Sequence, residues 1–243
     1  MCIIESNNLL SEKQFRFRKN RSIDSLLLYL TTIWRLELDK KPCSKIGLVS
    51  LDIKKAFDNV NHSLLINKLK HRYNLNPSAS NWIQDYLSNR VLITQIDNVY
   101  SLPSTVNRGI PQGGVLSPLL FNLFIDDLAS SLQINNIFLY ADDCLIFNHA
   151  DNYNDLKVKL ELDINKTLKW YALNDLTVNT GKTKILILDT KTDPHEPFQI
   201  EIGDNVINQS SSLKYLGCTL DPKLKFSNRI KFMCTKSIKT LMF

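Results

Sequence analysis

Glycine is scarce in this chain, with 7 in 243 residues, and three of those seven fall within Arg108 to Gly114 (RGIPQGG). A flexible glycine-rich linker between domains is thereby excluded, and that one stretch must be a loop. The five cysteines, Cys2, Cys43, Cys144, Cys218 and Cys234, stand apart with no C-x-x-C pair and no histidine partner. Neither a zinc site nor a disulfide framework is expected. No apolar run approaches the ~18 residues that a membrane helix needs; the richest region, Leu119 to Ile125, is interrupted by Asn122. No membrane span or membrane partner is expected. The N-terminal MCIIESNNLL lacks a basic segment leading into an apolar one, so the expected address is intracellular, nucleus or cytoplasm, rather than secreted. Internal repeats are absent. With 44% apolar and 22% charged residues the composition is that of an ordinary globular protein, and one domain over 1–243 is the simplest reading.

The net charge is +6, which favours a polyanion as partner. Its distribution says more. Lys13 to Arg21 holds five basic residues and no acid, and Asp221 to Phe243 holds six basic residues against one acid. Between Phe121 and Asp163 the sign reverses, with eight carboxylates against two lysines. Basic flanks around an acidic middle suit a polyanion channel over a metal-binding centre, and a solvated surface of mixed charge would give similar counts.

Periodicity predicts helices over Ser22 to Asp39, Ser63 to Tyr73, Ala79 to Ser88, Ser117 to Ser131 and Tyr153 to Ala172. Ser22 and Asn61 are placed as N-caps, and Pro118 lies in a first turn. Ile46 to Leu51 is a continuous apolar run, the pattern of a strand covered on both faces. Further strands are predicted at Val91 to Ile96, Lys184 to Leu188, Phe198 to Ile202 and Leu213 to Leu220. Ile137 to Tyr140 and Cys144 to Phe147 form the arms of a hairpin turning through Ala141, Asp142 and Asp143. The resulting order gives an α+β fold with a largely antiparallel sheet.

Asp52 closes one buried strand, and Asp142 and Asp143 occupy the hairpin turn. Singly, each has a plain explanation as a helix cap or as turn chemistry. Together they ask for more, because Ala-Asp-Asp offers no glycine to the turn and sets two like charges between apolar arms. If the sheet brings Asp52 beside them, three hard oxygen donors converge without Cys or His, the ligand set of Mg2+. Two such ions can clamp the attacking and leaving oxygens of a phosphoryl transfer.

Five segments carry a resemblance: SLDIKKAFDNVNH (Ser50 to His62), RGIPQGGVLSPLLFNLFIDDL (Arg108 to Leu128), FLYADDCLIF (Phe138 to Phe147), LTVNTGKTKILIL (Leu176 to Leu188) and KYLGCTL (Lys214 to Leu220). Their order and spacing resemble the palm motifs of reverse transcriptases, specifically those of non-LTR (LINE-type) retrotransposons, the jockey-like branch among them. QFRFRKNRS (Gln14 to Ser22) is similar to the last fingers motif of that family. The resemblance implies a reverse-transcriptase palm with partial fingers: fingers elements over 13–43, palm over 44–220, and the start of a thumb or connection over 221–243. It implies an RNA-directed DNA polymerase working on an RNA template, a DNA primer and deoxynucleoside triphosphates with two Mg2+ ions. The alternative is a catalytically silent, nucleic-acid-binding remnant. A signalling cyclase on a similar palm is disfavoured, since no G-G-[DE]-E-F hairpin occurs.

Carried over by position, the resemblance makes Asp52, Asp142 and Asp143 metal ligands, with the Ile53 carbonyl as a further donor. Phe57 would lie beneath the sugar and exclude a ribose 2′-hydroxyl; as a core residue it needs no such role. Gln112 and Gly113 would line the nucleotide and template base. Lys182 would protonate the leaving pyrophosphate, or else be one lysine of a surface turn. Tyr215, Leu216 and Gly217 correspond to the primer grip. Arg16, Arg18 and Arg21 would contact template or triphosphate, with a solvated basic face as the competing account. Two departures stand out: Arg16 replaces a usual glycine, and Thr180 and Gly181 replace a proline-containing approach to Lys182. Few residues flank the motifs on either side, so the chain is expected to be the middle of a longer element, short of upstream fingers, thumb and endonuclease.

Overall fold

The computed structural model describes residues 9–40, 45–189 and 197–226. Cys2, Cys43 and Cys234, and residues 227–243 of the segment 221–243 assigned to a thumb or connection, lie outside the described residues. In chain order the elements begin α1 (Ile23–Leu38), β1 (Lys45–Leu51), α2 (His62–His71), α3 (Pro77–Leu87), β2 (Arg90–Leu92), β3 (Gln95–Ile96), β4 (Val99–Tyr100), β5 (Ser104–Val106), α4 (Ser117–Ile125) and α5 (Asp127–Ser131). They continue with β6 (Ile137–Tyr140), β7 (Asp143–Ala150), α6 (Tyr153–Leu173), β8 (Lys184–Leu188), β9 (Gln199–Ile202), β10 (Asn205–Asn208), β11 (Leu213–Tyr215) and β12 (Cys218–Leu220). The expected α+β fold is present, its centre a four-stranded antiparallel sheet in the order β6-β7-β1-β8.

β1 is interior to this sheet and covered on both faces, as its unbroken apolar run requires. Ile46 and Leu48 pack with α1 (Leu26, Leu30, Trp34) and with Leu213, Tyr215 and Leu220 of the β11–β12 hairpin. Val49 and Leu51 point the other way, into a larger core built with α2, α4 and α6. Gly47 shares that second face, and a Cβ there would collide with Leu160, so glycine is what lets α6 lie close to the sheet. Ser22 caps α1 through a reciprocal pair with Ser25, and Asn61 caps α2 by accepting the Leu64 N–H at 3.1 Å. Among the described residues no helix is long and apolar enough to cross a membrane.

Four predicted elements differ in extent. The helix expected over Ser117 to Ser131 is two, α4 and α5, parted at Asp126, whose carboxylate is turned inward to the Ser11 N–H at 2.6 Å. The strand expected over Val91 to Ile96 breaks into β2 and β3, which change partner from β5 to β4, while Asp97 and Asn98 supply the two positive φ angles of a tight turn. The run Leu213 to Leu220 folds back at Leu216 and Gly217. β7 starts at Asp143, which pairs with Tyr140 of β6, and runs on to Ala150 because Cys144 to Ala150 all pair with β1.

Candidate active site

The β6–β7 register decides where the aspartates stand. Tyr140 pairs with Asp143, which leaves Ala141 and Asp142 as a two-residue turn and makes Asp143 the first residue of a strand rather than part of the loop. Ala141 takes the left-handed φ of 56° although it is not glycine, and it is 1% exposed. β1 pairs with β7 so that Leu51 faces Cys144; one step further along the antiparallel ladder, Asp52 comes level with Asp143. Beyond β1 the chain stays extended, with the Asn179 N–H donating to the Asp52 carbonyl at 2.7 Å and the Lys54 N–H to the Thr177 carbonyl at 2.8 Å. The sequence-predicted triad of Asp52, Asp142 and Asp143 is therefore brought together by two sheet registers. Burial raises the Asp143 pKa above the ordinary carboxylate range, and the charges of Asp142 and then Asp52 raise it further; Arg16 and Lys182 oppose them.

Lys182 comes from the turn before β8. Its Nζ lies 3.6 Å from Asp52 Oδ2, with the lysine side chain 70% and the aspartate 28% exposed. It reaches Asp52 from a largely exposed position.

Facing them is the loop read from RGIPQGG. Gly109 (φ +83°) packs so tightly that a Cβ would stand 2.7 Å from the Asp58 carbonyl oxygen, so only glycine permits the approach. The Gly109 N–H donates to Val60 O at 2.8 Å, the Ile110 N–H to Phe57 O at 2.9 Å, and the Gln112 amide to Asp58 Oδ1 at 2.8 Å. These bonds staple the loop to the segment that follows β1. Between them opens a cleft of about 570 Å³ whose lining includes Asp52, Ile53, Phe57, Gln112, Gly113, Asp142 and Lys182. Phe57 serves cleft and core alike, since its ring stacks on Phe121 with centroids 4.5 Å apart.

The remaining candidates divide. The Arg16 guanidinium lies over the Tyr140 ring at 5.4 Å and favours the charged form of Asp143. Arg18 is instead turned onto its own segment, donating to Ser11 O at 2.6 Å, and Arg21 donates to Glu12 O at 2.5 Å. Tyr215 is buried beneath the sheet, its hydroxyl pKa pushed up by burial and then by Cys144 and Asp143, so that Leu216 and Gly217 form the accessible tip of the hairpin. Two residues that sequence reasoning did not single out belong here. Asp58 orients Gln112, and Gln14 reaches the aspartate turn; one reads as an ordinary polar residue, the other only as the first letter of a basic stretch.

The donor set fits Mg2+. Its side chains are carboxylates only, and Cys144, which follows Asp143, is buried with its thiol pushed up to about 12 by burial, unsuited to ligation. Among the described residues no three His, Cys, Asp or Glu side chains close into a ready-made cage. That is compatible with an ion that keeps waters and completes its shell with substrate phosphates.

Comparison with known proteins agrees with this geometry. The profile described as reverse transcriptase (RNA-dependent DNA polymerase) matches residues 2–220. The probable RNA-directed DNA polymerase from transposon BS of Drosophila melanogaster is 31% identical over 238 residues, covering 94% of this chain and 26% of that protein. The RNA-directed DNA polymerase from mobile element jockey of the same organism is 26% identical over 187 residues, covering 74% of this chain and 20% of that protein. This chain thus spans about a quarter or less of the length of these relatives. Among solved structures, apo telomerase from Candida tropicalis truncated from its C-terminal domain superposes with a TM-score of 0.60 at 14% identity, over 88% of this chain and 40% of that one, a likeness of fold. Motifs, sheet registers and profile converge, and the chain belongs to the reverse transcriptase (RNA-dependent DNA polymerase) family.

Proposed function

We propose that these residues are the polymerising centre of a non-LTR retrotransposon RNA-directed DNA polymerase, which adds deoxynucleotides to the 3′ end of a DNA primer paired with an RNA template. Asp52 and Asp142 line one cleft opposite the Gln112–Gly113 loop, with Asp143 level with Asp52 in the sheet beside it, and this juxtaposition carries the reading. Two Mg2+ ions, when bound, supply the charge that stabilises the attacking and leaving oxygens. Asp52, Asp142, Asp143 and the Ile53 carbonyl would hold them. Gln112, oriented by Asp58, would dock the nucleotide and template base, with open space at Gly113 for backbone approach. Phe57 would close the floor beneath the sugar and reject a 2′-hydroxyl. Lys182, largely exposed and close to Asp52, would deliver a proton to the departing pyrophosphate. Arg16 beside the turn would meet phosphate, while Leu216 and Gly217 would support the primer end. The silent-remnant reading gains nothing from the structure, since carboxylates, loop and lysine all meet at the cleft.

Single-nucleotide addition to a DNA primer on poly(rA), with protein in excess and Mg2+ present, tests the proposal. Asp142→Asn is expected to lower the rate by about 10²–10³-fold while leaving primer–template binding in place. An unchanged rate would assign the chemistry elsewhere.

A further inference from the structure

Gln14 lies in the basic stretch at the start of the described chain, yet it is 0% exposed. Its segment runs parallel beside β6: the Leu139 N–H donates to Lys13 O and the Phe15 N–H to Leu139 O, both at 2.9 Å. That pairing carries the side chain over the end of the β6–β7 hairpin, where Oε1 accepts the Ala141 N–H at 3.1 Å and the Arg16 N–H at 3.2 Å. The Ala141 amide needs such a partner. Its residue is buried, held in the left-handed region, and placed in the turn outside the β6–β7 ladder, so neither water nor the sheet can satisfy it. Asp142 is the next residue and Asp143 the one after.

The segment is also held from its other side. Asn122 of α4, itself fully buried, donates its amide to Arg16 O at 2.7 Å. α4 follows directly on the Gln112–Gly113 loop. One short strap therefore touches the aspartate turn through Gln14 and the helix behind the nucleotide loop through Asn122.

We propose that Gln14 is a positioning residue for the metal-binding turn: its amide oxygen fixes the Ala141 backbone and so aims the carboxylates of Asp142 and Asp143. This rests on the reading of those aspartates as metal ligands given above. Side chains that orient ligands in this way characteristically govern metal affinity by 10- to 100-fold when removed. Gln14 touches neither substrate nor ion, and it acts through the turn.

The test uses the full chain with Gln14→Met, which keeps the volume and removes the acceptor, and Gln14→Glu, whose buried carboxyl keeps an acceptor oxygen. Three quantities are read: Mn2+ affinity by electron paramagnetic resonance with primer–template present, hydrogen exchange of the Ala141 amide, and single-nucleotide addition. Gln14→Met is expected to weaken Mn2+ binding about tenfold or more and to speed exchange at Ala141 by a similar factor. It should lower kcat more than it raises KM for the nucleotide, with duplex binding unchanged. Gln14→Glu should recover to within about threefold of the parent. Parental Mn2+ affinity and exchange in Gln14→Met overturn the proposal, as does an equal loss in both variants. If neither variant folds, Gln14 is a packing residue of the fold and the proposal fails as well. Asp142→Asn, run alongside, separates the two readings: if it too leaves Mn2+ binding intact, the metal assignment itself is wrong, whereas loss in Asp142→Asn with none in Gln14→Met refutes only the role of Gln14.

Discussion

Phe57 shows how one side chain can be asked for two things. Its ring lines the cleft beside Asp52 and at the same time stacks on Phe121 in the core. Phe57→Val should therefore have two separable effects. Ribonucleotide incorporation relative to deoxynucleotide should rise about tenfold or more, because the shorter side chain no longer meets a 2′-hydroxyl. Stability should fall by about 1–3 kcal/mol through the lost stacking and the space left beside Phe121. Competitive incorporation assays and denaturant midpoints read these independently, and loss of stability with unchanged sugar selection would return Phe57 to the core alone. At this scale the aspartates were legible because charge between apolar arms has few explanations. The arginines were not. A run of basic residues gives the sum of charge but not the aim of each guanidinium, and here Arg18 and Arg21 spend theirs on the carbonyls of Ser11 and Glu12 while Arg16 faces the aspartate turn.

Elements were most legible where local pattern and tertiary environment agree. β1 reads as doubly covered and is, and the caps at Ser22 and Asn61 stand where hydroxyl and amide precede apolar periodicity. The joint between α4 and α5 was illegible because its cause is remote: Asp126 is held by Ser11, 115 residues away, and by Tyr73 and Arg72 at 3.4 Å. Burial raises the Asp126 pKa above the model-compound value of 3.8; the Ser11 N–H and the half-exposed Arg72 only partly offset it. The folded chain thus holds this proton to a higher pH than the unfolded chain does, and stability declines as pH climbs from about 3.8 through the raised value, then levels off. Asp126→Asn imitates the protonated form at every pH. Relative to the parent, it should gain stability as pH rises through that window, flattening the profile of urea midpoint against pH. A profile of unchanged slope would assign the titration to another group. The aspartate pair at 126 and 127 carries no sign of catalysis: Asp127 is bound to the partly buried Lys68 at 2.7 Å.

For the whole molecule, a net charge of +6, with Lys182 in the cleft and Arg16 acting on Asp143, suits a ligand of regular negative charge. Affinity for a primer–template duplex should fall roughly ten- to a hundredfold between about 50 and 200 mM salt, as expected when a few phosphate contacts release counterions. Fluorescence anisotropy across that range checks it, and a flat response would remove phosphate from the account. The sheet order has a consequence for how the chain is made. β1 finds its neighbours only in β7 and β8, and β8 begins at Lys184, more than a hundred residues after Leu51. A ribosome working at about 5–20 residues per second leaves roughly 7 to 27 s between the emergence of the two strands. Until β7 emerges, about 90 residues after Leu51, the side chains of Ile46, Leu48, Val49 and Leu51, apolar on both faces, have no strand to lie against, and the second edge of β1 stays unpaired until β8 follows. Pulse-labelled nascent chains halted between these points should thus be held by ribosome-associated chaperones at the segment bearing Asp52, and slowing translation there should lower the yield of folded protein without any change in its sequence.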